Sequence, residues 1–188
     1  MKQVEIEFKS LLSAEKYQEL CKYYQLNEEA FHTQTNVYFD TPTHDLQTLK
    51  CGLRIRQYAD YGEITLKTPQ TVGLLETTDP LTLEECQNYI ASQSIPKKEV
   101  YQALLDLGVV PEKLAVIAEL TTKRAEFPIK EGLLALDESW YNQQHDYELE
   151  LEVNDHQKGK IAFESYLNQF NIPYSPAKNK IMRAIQTK

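Results

Sequence analysis

Hydrophobic and polar residues alternate with a period of two through much of this chain. In "VEIEFKS" the apolar Val4, Ile6 and Phe8 interleave with Glu5, Glu7 and Lys9. Successive side chains of a strand point to opposite sides, so the three charges share one face. The same rhythm, rich in β-branched and aromatic residues, predicts strands near 2–9, 31–40, 52–59 and 62–68, with another near 72–78. Three more follow near 115–127, 132–140 and 146–154, about eight in all.

Three- and four-residue spacing marks the helices between them. "SAEKYQELCKYY" opens at Ser13, a good N-cap, and places Tyr17, Leu20, Cys21 and Tyr24 on one side. Between Thr82 and Gly108 two such segments form a helical hairpin, with Gly108 just past the second helix. "KGKIAFESYLNQF" is helical, and Pro176 is placed to open a closing helix through Met182 and Ile185. Many sequence-adjacent strands with helices inserted at a few points predict an antiparallel α+β fold, which eight strands can close into a barrel.

The faces of these strands are sharply divided. Arg54 and Arg56 oppose Leu53 and Ile55; Glu63, Thr65 and Lys67 oppose Ile64 and Leu66; Glu148, Glu150 and Glu152 oppose Leu149, Leu151 and Val153. Either the aliphatic face fills an ordinary barrel with charges in solvent, or the charges line the interior beneath helices that cover an aliphatic exterior. Amphipathic helices must bury their apolar stripes, and the outer wall of a barrel is the available surface. That favours charges inside. Buried charges must be wet, paired or filled by ions. Glutamates could hold a hard divalent cation while Arg and Lys meet phosphate oxygens, so a metal-bridged polyphosphate would neutralise both sets.

Composition narrows the classes. The chain has 188 residues, 41% hydrophobic, and reads as a single domain over 1–188. A net charge of −8 without blocks of one sign points away from nucleic acid as a partner. No signal peptide and no apolar run of spanning length is present, so a cytoplasmic protein without a membrane partner is expected. Cys21, Cys51 and Cys86 are too few and too scattered for a disulfide frame or zinc site, and His32, His44, His145 and His156 have no ligand spacing. No GxxxxGK loop occurs, so phosphate would be held by side chains.

With these residues placed, the chain resembles the triphosphate tunnel metalloenzymes of the CYTH superfamily, closest to their YjbK-like bacterial branch. The motif ExExK stands at Glu5, Glu7 and Lys9, followed in family order by "YFDT" (38–41), "LRIR" (Arg54, Arg56), "TLK" (Lys67), "LTTKR" (Arg124), "LALD" (Asp137) and "YELELE". ExExK alone is a weak signal; the ordered set is strong. The resemblance implies an eight-stranded antiparallel tunnel with a charged lining, binding a triphosphate with Mg2+ or Mn2+. It implies metal ligation by Glu5, Glu7, Asp137, Glu148, Glu150 and Glu152. Arg54, Arg56, Lys67, Arg124 and Lys180 would bind phosphate, as would Lys9. Lys9 and Glu148 are the catalytic candidates, Lys9 to steady phosphoryl charge and a tunnel glutamate to activate water.

Relatives commonly carry Ser-Lys where this chain has Asn179 and Lys180, with Arg183 three residues on. Thr122, Glu126, Tyr38 and Asp40 share the inner parity and are candidate supporting residues. Trp140 and Tyr141 are placed to stack on an organic group at the tunnel mouth, or else simply pack.

The leading expectation is a metal-dependent hydrolase of inorganic or small organic triphosphate, acting as monomer or homodimer. A class IV adenylate cyclase and a thiamine triphosphatase are alternatives within the family. The His-Phe pair that often precedes ExExK in such cyclases is missing, because the motif starts so near Met1. A non-catalytic polyphosphate-binding module is the alternative of another class.

Overall fold

The first strand expected over 2–9 is bent at Ile6 into two, and that bend organises the sheet. A computed structural model describes residues 1–186. In chain order it contains β1 (Lys2–Glu5), β2 (Glu7–Leu12), α1 (Ala14–Tyr23), β3 (Phe31–Asp40), α2 (Asp45–Thr48), β4 (Gly52–Gln57), β5 (Gly62–Pro69) and β6 (Leu74–Leu81). There follow α3 (Leu83–Ser92), α4 (Glu99–Asp106), β7 (Ala115–Ile129), β8 (Gly132–Tyr141), β9 (Gln144–Glu152), α5 (His156–Gln169) and α6 (Lys180–Gln186). All pairings are antiparallel in the order β1-β6-β5-β4-β3-β7-β8-β9-β2.

The two edges of this sheet, β1 and β2, are joined through the single residue Ile6. β1 pairs Glu5 with Leu74, β2 pairs Glu7 with Glu152, and the Ile6 carbonyl accepts the Val153 N–H at 2.9 Å. The nine strands are thus the expected eight with the first serving both edges, which leaves fewer unpaired edge groups. Alternation runs through Ile6 without a break, so the period gave no sign of the change of partner.

Helices cover the outside in two groups. On one flank α2, α3 and α4 pack over Val37, Phe39, Leu53, Ile55, Ile64 and Leu66. On the other, α1 and α5 pack over Leu134, Leu136, Leu149 and Leu151. The aliphatic rows therefore face outward into helices, and the charged rows face the hollow.

Local chemistry holds the helices in register. Ser13 caps α1 by accepting the Lys16 N–H, and Thr82 and Glu85 form a reciprocal capping box on α3. Asp79, facing outward from β6, accepts the Val100 N–H at 2.8 Å and ties α4 to the sheet. Asp40 accepts N–H groups from Thr41, Leu46 and Gln47, so it seats α2 rather than supporting the interior. The closing helix starts at Lys180, not Pro176; the Asn179 carbonyl accepts the N–H groups of Met182 and Arg183. It packs Ala184, Ile181 and Ile185 on Tyr38, Ala118 and Leu120 of the inner wall. Among the described residues no helix is long and apolar enough to cross a membrane.

Gly73 and Gly108 have nearly the same left-handed φ, +74° and +76°, but different surroundings. A Cβ on Gly73 would lie 2.2 Å from the Glu5 carbonyl at the β1–β6 corner, while one on Gly108 meets nothing within 4 Å. Gly108→Ala should cost about 1–2 kcal/mol from conformation alone. Gly73→Ala should cost a further ~1–3 kcal/mol of overpacking, read as a larger drop in urea midpoint. Equal losses would mean that the corner is not tightly packed.

Candidate functional site

Inward parity brings the charged residues of seven strands onto a cavity of about 490 Å³. Its lining includes Glu5, Glu7, Lys9, Arg54, Arg56, Lys67, Arg124, Glu150, Glu152 and Lys180, ten of the twelve candidate residues read from the sequence. The other two, Asp137 and Glu148, lie one layer behind, with side chains 0% and 1% exposed. Tyr38 and Glu126 also line the cavity, whereas Thr122 is buried against Ser139. Two members of the charged rows, Glu63 and Glu76, belong to the lining as well. Glu63 shared the inner parity of Lys67 in plain view. Glu76 was harder to place because the β6 period is blurred by threonines.

The lining divides into regions of opposite excess. Arg54 and Arg56 on β4 and Arg124 on β7 form the basic region. Arg54 reaches Glu76 only at 3.9 Å, and its buried Nε has no partner among the described residues. Asn36 on β3 accepts from Arg56 Nε at 2.9 Å, and Arg56 Nη1 donates to Tyr58 Oη at 3.2 Å, so this guanidinium is fixed from two sides. Burial, then the neighbouring Arg54 and Arg124 charges, lower its proton affinity. An anion placed here would relieve that repulsion.

Acid is in excess where β1, β6 and β9 meet. Lys67 bridges Glu5 at 2.5 Å and Glu76 at 2.8 Å. Glu152 makes no ion pair among the described residues and only accepts from Gln3 Nε2 at 3.4 Å. Burial raises the Glu5 carboxyl despite Lys67, with Glu7 and Glu76 adding to the rise. Burial also raises Glu152, and Glu5, Glu76 and Glu126 push in the same direction. Lys9 pairs with Glu7 of its own motif at 2.6 Å, and although burial opposes its charge, Glu7 and Glu150 hold the ammonium above its usual range.

The layer behind is a closed ionic network. Arg124 grips Asp137 through Nε and Nη2, each at 2.7 Å, and also contacts Glu150. Lys180 Nζ lies 2.7 Å from Asp137, 3.0 Å from Glu148 and 2.5 Å from Glu150. Arg183 from the next turn of α6 contacts Glu148 and Asp146. Burial works against the Lys180 charge, yet the three carboxylates hold it well above the usual lysine range. Lys180 and Arg124 likewise keep Glu150 well below the usual carboxylate range, against the effect of burial. Glu148, nearly as enclosed as Asp137, is pushed up to about 7 by burial and by its hydrogen bond and proximity to Glu150, against the pull of Lys180.

The donor set suits a hard divalent cation, since the acidic region offers only oxygen ligands, and those of Glu5 and Glu152 have raised proton affinity. Among the described residues no three carboxylate, His or Cys groups are arranged so that they alone could hold a metal ion. That is compatible with Mg2+-type binding, which takes one or two carboxylates and completes its shell with water and substrate phosphate. The four histidines are exposed and the three cysteines are free. Trp140 and Tyr141 do not reach the mouth. Trp140 faces outward, stacked on His145 at 5.1 Å, and Tyr141 packs beside α6 and donates to Asp146.

A pH dependence follows from Glu148. Its folded value lies above the ordinary 4.5, so folding takes up a proton between 4.5 and about 7, and the associated stability is lost as pH rises through that window. In metal-free buffer with chelator, the protein should be less stable to urea at pH 8 than at pH 5.5. Glu148→Gln should reduce that difference by about 2 kcal/mol, one pKa unit being worth about 1.4. An unchanged slope would mean that Glu148 is ionised throughout.

The comparisons agree with this geometry. A family model described as the CYTH domain matches residues 3–185. The Bacillus subtilis (strain 168) protein named "Putative triphosphatase YjbK" is 38% identical over 186 residues, covering 99% of this chain and 96% of its own. The crystal structure of a "putative adenylate cyclase" from Bacillus halodurans superposes with a TM-score of 0.92 at 37% identity, covering 97% of each chain. A Hippeastrum structure, titled as a candidate adenylyl cyclase that reveals a dominant triphosphatase activity, superposes with a TM-score of 0.81 at 26% identity over 97% of this chain and 95% of that one. With the charged rows turned inward and the family model spanning nearly the whole sequence, this chain belongs to the CYTH domain family.

Proposed function

We propose that this protein hydrolyses the terminal phosphoanhydride of a triphosphate bound in the tunnel, with a divalent cation such as Mg2+ or Mn2+. The observation that carries this reading is the separation of charge in one cavity: Arg54 and Arg56, whose nearest carboxylates lie only at 3.9 and 3.7 Å, stand beside an acidic region where Glu152 has no ion pair among the described residues. A triphosphate with its metal supplies what each lacks.

Arg54, Arg56 and Arg124 would grip phosphate oxygens, their planar forks matching two oxygens at a time, with Lys67, Lys9 and Lys180 as compact charges. Glu5, Glu7, Glu150 and Glu152 border the cavity and would hold the cation. When bound, such a cation supplies charge neutralisation and polarises phosphate oxygens. Asp137 and Glu148 act from behind by holding Arg124 and Lys180 in place. Glu148 and Glu150 form a hydrogen-bonded acid pair with one member poised near neutrality, suited to take the proton of an attacking water through Glu150. Lys9 would stabilise charge on the phosphoryl oxygens as the water attacks in line.

The names of two of the three relatives favour the same reading over cyclisation, while the Bacillus halodurans structure carries a cyclase name. The Hippeastrum protein is described as revealing a dominant triphosphatase activity, and YjbK carries a triphosphatase name. The test is release of orthophosphate and cyclic AMP from inorganic triphosphate, ATP and thiamine triphosphate, with Mg2+, with Mn2+ and with chelator. Orthophosphate release that stops with chelator is expected, and no cyclic AMP. Arg56→Ala should raise KM about 10–100-fold, the effect of losing a charged hydrogen bond. Glu150→Gln should lower kcat at least 100-fold. Binding of triphosphate without release of any product would leave a binding module instead.

A further inference from the structure

Lys9, Lys67, Arg124 and Lys180 each meet a carboxylate at 2.5 to 2.7 Å, but the carboxylate nearest to Arg56 is Glu63, at 3.7 Å. What fixes Arg56 instead is an amide. Asn36 is its cross-strand neighbour on β3, and Asn36 Oδ1 accepts from Arg56 Nε at 2.9 Å. A guanidinium nitrogen can only donate, so this bond also settles which way the amide is turned. Nδ2 then faces away from Arg56 Nε. Asn36 is 1% exposed, and its Nδ2 has no hydrogen-bond partner among the described residues.

A donor orphaned at that depth costs stability. Aspartate has nearly the same shape, could accept from Arg56 with two charged oxygens, and would leave no donor behind. It would also relieve the repulsion that Arg54 and Arg124 impose on Arg56. Arg124 shows that arrangement in the same cavity, facing Asp137 across the β7–β8 ladder and gripping it through two nitrogens. An amide differs in one respect: it orients the guanidinium without cancelling its charge. We propose that Asn36 is a positioning residue that aims Arg56 at a phosphate group while leaving the positive charge for the ligand. This rests on the triphosphate reading above and deepens it by dividing the arginines: Arg124 is neutralised in place, whereas Arg56 is held by a neutral group and stays available to the anion.

The test measures Kd for inorganic triphosphate and for ATP by calorimetry with Mg2+, together with the urea midpoint, in wild type, Asn36→Asp and Asn36→Ala. Asn36→Asp should be at least as stable as wild type and yet bind about tenfold more weakly or worse, because its carboxylate pairs with the cation that the ligand needs. Asn36→Ala should weaken binding less than Asn36→Asp does. In an Arg56→Ala background Asn36→Ala should change Kd by less than about twofold, since the two residues act as one unit. Wild-type affinity in Asn36→Asp overturns the assignment, and so does full additivity of Asn36→Ala with Arg56→Ala. Stability and affinity that fall together in Asn36→Asp would make Asn36 a structural residue only. If neither ligand binds to wild type, the triphosphate reading itself fails and the role of Asn36 falls with it.

Discussion

Charges of both signs are enclosed in this barrel, and water does not have room to solvate each of them separately. Pairing is therefore the constraint on which everything else rests: a buried ion left alone costs several kcal/mol, and a broken buried pair costs about 3–5. The chain meets that constraint by setting Lys180, Arg124, Asp137, Glu148 and Glu150 into a mutually neutralising layer contributed by α6, β7, β8 and β9. Removing any one of them strands the others, which makes this layer a stability feature as much as a chemical one.

Neutralisation is incomplete nearer the cavity, and that incompleteness is informative. Arg56 is crowded by Arg54 and Arg124, while Glu5 is crowded by Glu7 and Glu76, and Glu152 by Glu5 and Glu76. A fold optimised only for stability would pair these groups or replace them by apolar residues. Holding two unlike excesses apart on a rigid sheet preorganises a site whose ligand must itself carry both an anion and a cation. Strands fix these side chains more firmly than loops would, because each lies in a ladder with neighbours on both sides.

The closure at Ile6 and the plug formed by α6 serve the same end. One strand that pairs with both β6 and β9 brings Glu5 and Glu7 of a single motif beside two different walls. Lys180 at the start of α6 then reaches the carboxylates from the chain's other end. The ionic layer is built on the consecutive strands β7, β8 and β9 with α6 laid over them, whereas the lining around Glu5 and Glu7 forms only when β1 meets β6 and β2 meets β9.

Much of this was legible in the residues themselves. Alternation along each strand is a property of the local chain, so the division into aliphatic and charged faces, the identity of the inward rows and the caps at Ser13 and Thr82 could be read directly. The helix supply then chose which face turns inward. Which carboxylate meets which cation could not be read, because that depends on register between distant strands. Asp137 and Glu148 share the parity of the lining yet sit behind it, since Lys180 and Arg124 cover them. Trp140 follows a motif residue but has the opposite parity, so it stacks outside, while Tyr61 enters the lining from a turn that carries no period at all. The sequence by itself determined the faces and their charges; only the closed sheet decided the partners and the depth of each group, because ion pairing is a long-range contact and alternation is not.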